Sequence, residues 1–146
     1  MADTIIVGYD GSDHAAKALD VAVEFARMMP DSEIIITCAQ NRPAPAVGFR
    51  GAEFGVEEMW DKLTKKIEEE LDLAASRVRA AGVKVATACT PDRPDVTIVN
   101  IARETNARLI VMGTKGAGAL QGEKSRLGST TNRVLHEAGG IPVLVV

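Results

Sequence analysis

Five short apolar runs, each parted from the next by a segment whose apolar residues recur at helical spacing, constrain the fold of this chain more than any other feature. Residues 4–9 (TIIVGY) form a nearly continuous apolar run rich in β-branched side chains, as a strand covered on both faces requires. Beyond Asp10-Gly11-Ser12, the residues Ala15, Leu19, Ala22, Val23 and Ala26 mark one side of a helix that Ser12 or Asp13 can cap and that Pro30 breaks. Residues 33–39 (EIIITCA) read as the second strand. Met59, Leu63, Ile67, Leu71, Ala74 and Val78 then define one face of a helix from about 56 to 81, with Gly82 as its stop. A weaker strand over 83–89, a helix opened by Pro94, a strand over 107–112 (ARLIVM), a helix over 129–138 and a last strand over 141–146 (IPVLVV) complete the alternation.

Strand-helix-strand units joined by right-handed crossovers pair their strands in parallel. The expected fold is therefore α/β, a doubly wound open sheet of five parallel strands in the order 3-2-1-4-5 with helices on both faces. The 146 residues suffice for one core, and no linker, internal repeat or low-complexity stretch divides them, so 1–146 is expected to be a single domain. In such a sheet ligands bind outside the carboxyl ends of the strands, where the strand order reverses. The loops after strands one, two and four are the candidate site.

Composition and charge narrow the function classes. No apolar run approaches the ~20 residues of a membrane helix. Met1-Ala2-Asp3-Thr4 runs into the first strand without the basic region, apolar stretch and cleavage site of a secretory signal. A cytoplasmic protein without membrane contact is the expectation. The 17 basic residues are scattered among 20 acidic ones at a net charge of -3, so no electrostatic footprint for nucleic acid is visible. Cys38 and Cys89 show no CxxC spacing and no paired His, and they read as buried reduced thiols. Residues 41–55, with Pro43, Pro45, Gly48, Gly51 and Gly55, form a long loop after strand two, suited to a flap that orders over a ligand, with Trp60 beside it.

The chemistry concentrates after strand four. Gly113-Thr114-Lys115-Gly116-Ala117-Gly118 opens a loop that runs through Gly122-Glu123-Lys124-Ser125-Arg126-Leu127 to Gly128-Ser129-Thr130 at a helix start. Glycines let the backbone approach a ligand closely, and the first turn of a helix supplies unpaired N–H groups with about half a positive charge. That combination suits phosphate, with Lys115, Lys124 and Arg126 as added positive charge; the alternative is a surface turn with ordinary caps. Asp10, just past strand one, would face the same crevice if strands one and four are neighbours. A carboxylate there is placed either to bond ribose hydroxyls or to stabilise the Gly11-Ser12 turn.

Residues 5–12 (IIVGYDGS), 109–116 (LIVMGTKG), Gly128-Ser129-Thr130 and the closing 141–146 together resemble the universal stress protein family, in the right order over essentially the whole chain. The resemblance implies ATP binding through a Gly-x2-Gly-x9-Gly-Ser/Thr pattern, which Gly113, Gly116, Gly128 and Ser129 match in kind. By the same likeness Asp10 contacts the ribose, Gly8 lines the base pocket and the backbone near Ala39 bonds adenine; Thr130, which like Ser129 can either cap the helix or bond phosphate oxygens, and Met112 at the end of strand four complete the expected nucleotide set. One departure stands out: eleven residues, 117–127, separate Gly116 from Gly128 where the family pattern has nine.

No Walker loop, Ser-Gly-Gly-x-Asp-Ser loop or His-x-Gly-His signature is present, and His14 and His136 read as exposed helix residues. Asp92 and Asp95 read as turn and first-turn helix residues. No catalytic residue and no metal ligand set are expected. The reading is a stress-response regulator that binds ATP, or else AMP or ADP, with magnesium accompanying the phosphates, and couples the nucleotide to a protein partner without fast turnover. The alternatives are a dimeric interaction protein that binds no ATP and a slow ATPase using Asp10 or Glu123. The last strand, at a sheet edge, is expected to pair with its twin in a homodimer, as the resemblance also implies.

Overall fold

Side chains of a strand alternate between two faces, so a buried strand needs a cover on each, and this chain supplies two pairs of helices. A computed structural model describes residues 2–42, 53–115 and 127–146. Its elements are β1 (Thr4–Gly8), α1 (Asp13–Met28), β2 (Glu33–Ala39), α2 (Glu53–Ala80), β3 (Lys84–Thr90), α3 (Pro94–Glu104), β4 (Leu109–Met112), α4 (Ser129–Glu137) and β5 (Val143–Val145). The five strands are parallel throughout and lie in the order β3-β2-β1-β4-β5. The doubly wound expectation holds strand for strand.

Ile5, Val7, Ile34, Ile36 and Val111 point to one face, where Leu19 and Ala22 of α1 and Leu71, Ala75 and Val78 of α2 cover them. Ile6, Ile110 and Met112 point to the other, under Ile98, Val99 and Ala102 of α3 and Val134 of α4. The central strand is the most protected: Ile5, Ile6 and Val7 are fully buried, each such side chain contributing about 1.5–3 kcal/mol of transfer free energy. Thr37 fits the same interior because its Oγ1 donates to the Val7 carbonyl at 3.0 Å.

Several boundaries shift by one to three residues, and three of the shifts have a clear local reason. Val83 stays with the end of α2, its N–H on the Val78 carbonyl at 3.4 Å, while Gly82 takes φ +81. Ala107 closes the turn after α3 by donating to Ala102 at 2.8 Å, so β4 starts at Leu109. Pro142 has no N–H for the ladder, and β5 spans only Val143–Val145, although the Pro142 carbonyl still accepts from Ile110 at 2.9 Å.

The progression from β1 through β3 moves one way across the sheet, with α1 and α2 on one face. The return through β4 to β5 moves the other way, with α3 and α4 opposite. The loops leaving β1 and β4 therefore diverge at their carboxyl ends, which is where a doubly wound sheet opens a crevice.

Candidate functional site

After β1 the backbone turns at Gly11, whose φ of +79 is a conformation that side-chain-bearing residues rarely adopt. The turn is held by Asp10, whose Oδ1 accepts the Ser12 N–H at 2.9 Å, and Ser12 Oγ in turn accepts the Ala15 N–H at 3.1 Å to cap α1. Asp10 thus does fill the turn-stabilising role, and it does so while exposed at the crevice.

On the α2 side of the β1 and β2 ends lies a cleft of about 250 Å³. Tyr9, Asp10 and Gly11 form one wall, Cys38 and Ala39 of β2 another. Helix α2 closes it with Leu63, Ile67 and Leu71 and with two charged residues, Lys66 and Glu70. The two walls meet near Gly11, where an added Cβ would stand 3.3 Å from Glu70 Oε2. Burial, then the charge Cys89 would carry, then the Asp10 and Glu70 carboxylates push the Cys38 thiol up to about 11 against one backbone hydrogen bond, so the cleft wall carries a protonated thiol. The volume lies below the roughly 300–1,000 Å³ of small-molecule sites and suits a base better than a whole nucleotide.

Beside it, the end of β4 meets two helix starts. Gly113 admits no side chain, because a Cβ there would stand 2.7 Å from His14 Cβ and 2.9 Å from the His14 carbonyl carbon. Thr114 donates its N–H to Val146 at 3.0 Å, and its carbonyl accepts the Gly128 N–H at 2.7 Å. Buried Thr131 ties α4 to the same point, its Oγ1 donating to the Gly113 carbonyl at 2.8 Å. Helix α4 has Gly128 at its N-cap, no side-chain cap hydrogen bond and no acidic residue in its first turn. The first-turn N–H groups, which have no partner inside a helix, and the positive end of its dipole therefore lie beside Gly113.

The residues expected to form one site are distributed over three places. Asp10 and Ala39 line the cleft. Gly113, Gly128, Ser129 and Thr130 gather where β4 meets the starts of α1 and α4. Gly8 and Met112 belong to the other layer: a Cβ on Gly8 would stand 2.8 Å from Ile98 Cδ1 and 3.8 Å from Met112 Cε, and Met112 is buried. Gly116 and residues 117–126 of the enlarged loop lie outside the described residues, as do 43–52 of the expected flap. Trp60 is half-buried, with the Arg42 guanidinium 5.2 Å from its ring centre.

Other expectations change in detail. His14 is half-buried against Gly113, with Nδ1 3.5 Å from Thr114 Oγ1, because α1 packs closely on the end of β4. The cysteines are half-buried and free. Asp95 is fully buried at the start of α3. Burial alone would raise its pKa, but Arg93 donates to both carboxylate oxygens, at 3.2 and 2.8 Å, and with its charge holds the Asp95 carboxyl below the usual carboxylate range. The sequence reading missed Tyr9, Lys66 and Glu70. The signal for the last two was available: Leu63, Lys66, Ile67, Glu70 and Leu71 follow helical spacing, so two charges sit within an apolar stripe.

Against known proteins, the family model described as the universal stress protein family matches residues 1–146. A universal stress protein of Thermus aquaticus is 33% identical over 147 residues, covering 100% of this chain and 99% of the relative. The structure of the universal stress protein UspA from Lactobacillus plantarum superposes with a TM-score of 0.84 at 22% identity, covering 99% of this chain and 97% of that one. A universal stress protein crystallised in complex with cAMP is 28% identical with a TM-score of 0.68, covering 99% and 95%.

Proposed function

Because the chain belongs to the universal stress protein family, we propose that it is a stress-response regulator that binds an adenine nucleotide, with ATP as first choice and AMP or ADP as the alternatives, at the carboxyl ends of β1, β2 and β4. The observation that carries the reading is the juxtaposition of a base-sized cleft at Asp10 and Ala39 with the glycine-capped start of α4 at Gly128. The related protein in complex with cAMP supports adenine as the base.

In this reading the base enters the cleft beside Tyr9, and the Ala39 backbone bonds its edge. Asp10 reaches the ribose hydroxyls with carboxylate oxygen that also serves its turn. The phosphates extend toward Gly113, Gly116, Gly128, Ser129 and Thr130, where helix N–H groups and the dipole offset their charge. Gly8 and Met112 support from the far face of the sheet, since any side chain larger than hydrogen at Gly8 presses on Ile98. Magnesium accompanies the triphosphate. The work of the protein is binding rather than fast turnover, and β5, which among the described residues pairs with β4 alone, takes a second copy to form a homodimer that presents the nucleotide state to a partner.

Mass spectrometry of small molecules released on denaturing protein purified from cells tests this directly. An adenine nucleotide in stoichiometric amount is expected. Protein that releases none, and that takes up none when titrated with ATP, AMP or ADP, would return the chain to the reading of a dimeric interaction protein.

A further inference from the structure

Cys38 and Cys89, far apart in the chain, stand directly opposite each other in the β2–β3 ladder. Opposed residues of neighbouring strands share a face of the sheet, and both thiols pack against the same apolar cluster under α2. Adjacent strands run about 4.8 Å apart, inside the roughly 4.4–6.8 Å over which two cysteine Cα atoms can be bridged. Cys38 lines the cleft and Cys89, on the outer strand β3, is only half-buried, so a molecule as small as a peroxide reaches the pair without opening the sheet.

The two sulfurs have different surroundings. Cys89 Sγ accepts from Gln40 Nε2 at 3.7 Å, a contact that holds its sulfur in one direction. The Gln40 amide is held in place, since Nε2 also donates to Thr64 Oγ1 at 2.7 Å, and Arg42 donates to the same Thr64 oxygen at 2.8 Å. Cys38 keeps its proton, for the reasons of burial and neighbouring charge given above. Thiolate character and access decide which thiol is oxidised first.

We infer that Cys38 and Cys89 form a dithiol modification site that takes a small peroxide as its oxidant and closes to a disulfide across the β2–β3 ladder. Cys89 gives up its proton and its sulfur attacks one peroxide oxygen. The O–O bond breaks, the departing oxygen takes the proton and leaves as water or an alcohol, and Cys89 becomes a sulfenic acid. The Cys38 sulfur then attacks the Cys89 sulfur. The S–O bond breaks, and the hydroxide departs with the Cys38 proton as water. Two electrons pass from the thiols to the peroxide, and a dithiol reductant reverses the change. The chemistry does not require the nucleotide reading, but the two share a wall: a base in the cleft would cover Cys38 and slow the reaction.

The test exposes the reduced full-length protein to hydrogen peroxide, quenches it in acid, labels with N-ethylmaleimide and measures intact mass and tryptic peptides. Expected are a chain lighter by two hydrogens that takes no label, a peptide linking residues 38 and 89, and recovery of both labels after dithiothreitol. In Cys38→Ser, dimedone traps Cys89 as sulfenic acid; in Cys89→Ser, Cys38 remains open to alkylation at the same dose, with circular dichroism confirming that both variants fold. Two labelled thiols in the parent after peroxide, or a bridge found only between separate chains, would overturn the inference.

Discussion

Placing alanine at Gly113 would press a methyl group onto backbone that cannot step aside. The new Cβ stands 2.7 Å from His14 Cβ, 2.9 Å from its carbonyl carbon and 3.0 Å from its oxygen, whereas carbon atoms in contact prefer about 3.5–4.0 Å. Relief requires the first turn of α1 to move away from β4, yet that turn is fixed by the Ser12 cap and by the buried Ala15 and Ala18. Overpacking of this kind costs about 1–3 kcal/mol, and a backbone obstacle puts Gly113→Ala toward the upper end. Stiffening of the unfolded chain returns about 0.4–1 kcal/mol, leaving a net loss of about 1–2.5 kcal/mol. Gly8→Ala provides the control: its nearest obstacle, at 2.8 Å, is Ile98 Cδ1, the far end of a flexible side chain. Rotation of Ile98 relieves it, so the loss is about 0–1 kcal/mol, and Ile98→Val, which deletes the offending methyl, removes the penalty in the double variant. Urea unfolding followed by circular dichroism, with equal slopes in all variants, measures each value. Gly113→Ala as stable as the parent, or less damaging than Gly8→Ala, would refute the claim that α1 fixes Gly113 as glycine.

Three further outcomes follow from the site and its surroundings. Asp95 titrates below its ordinary range when folded, so its contribution to stability is present above the unfolded pKa of about 4 and is lost as pH falls through the lower folded value. Urea midpoints of parent and Asp95→Asn should therefore differ most near neutrality and converge at low pH; a gap constant down to pH 2 would contradict this. Asp10→Ala should weaken ATP and AMP alike, by about tenfold or ~1.4 kcal/mol, because the ribose is common to both; a loss confined to ATP in calorimetry would move Asp10 to the phosphates. Val143→Lys should convert a dimer to a monomer by light scattering, since it sets charge against charge across a two-fold axis at β5, and a dimer that survives would place the interface elsewhere.

The fold was legible because four of the strands are largely apolar runs punctuated by Gly, Pro or Asp, and the weaker β3 (KVATACT) falls where the alternation requires a strand. Residues 33–39 gave the limits of β2 without correction, and errors elsewhere came from backbone hydrogen bonds, such as Ala107 to Ala102, that leave no trace in residue type. The site was legible in part. Asp10 sits in a recognisable turn, and it both stabilises that turn and lines the cleft. Glycine identity was more ambiguous, since Gly8 and Gly113 have packing reasons to lack a side chain, supplied by Ile98 and His14. A sequence displays the requirement for glycine without saying which neighbour imposes it. The roof of the cleft was hidden because α2 reaches it from a distant segment, and helical spacing reports which residues share a face without naming what that face covers. The opposition of Cys38 and Cys89 was hidden likewise: it depends on the register of two strands, and register is set by the whole sheet.

Calorimetric titration of the parent and of Gly128→Val with ATP tests the central claim most directly, because Gly128 caps α4 at the point assigned to the phosphates and its N–H is already committed to Thr114. A valine side chain there leaves the base cleft untouched and obstructs the approach to the helix start. Binding by the parent, at least about tenfold weaker in folded Gly128→Val, or ~1.4 kcal/mol, with a smaller loss for AMP, is the predicted result. Parent-like ATP affinity in the folded variant, or no measurable binding by the parent, would contradict it.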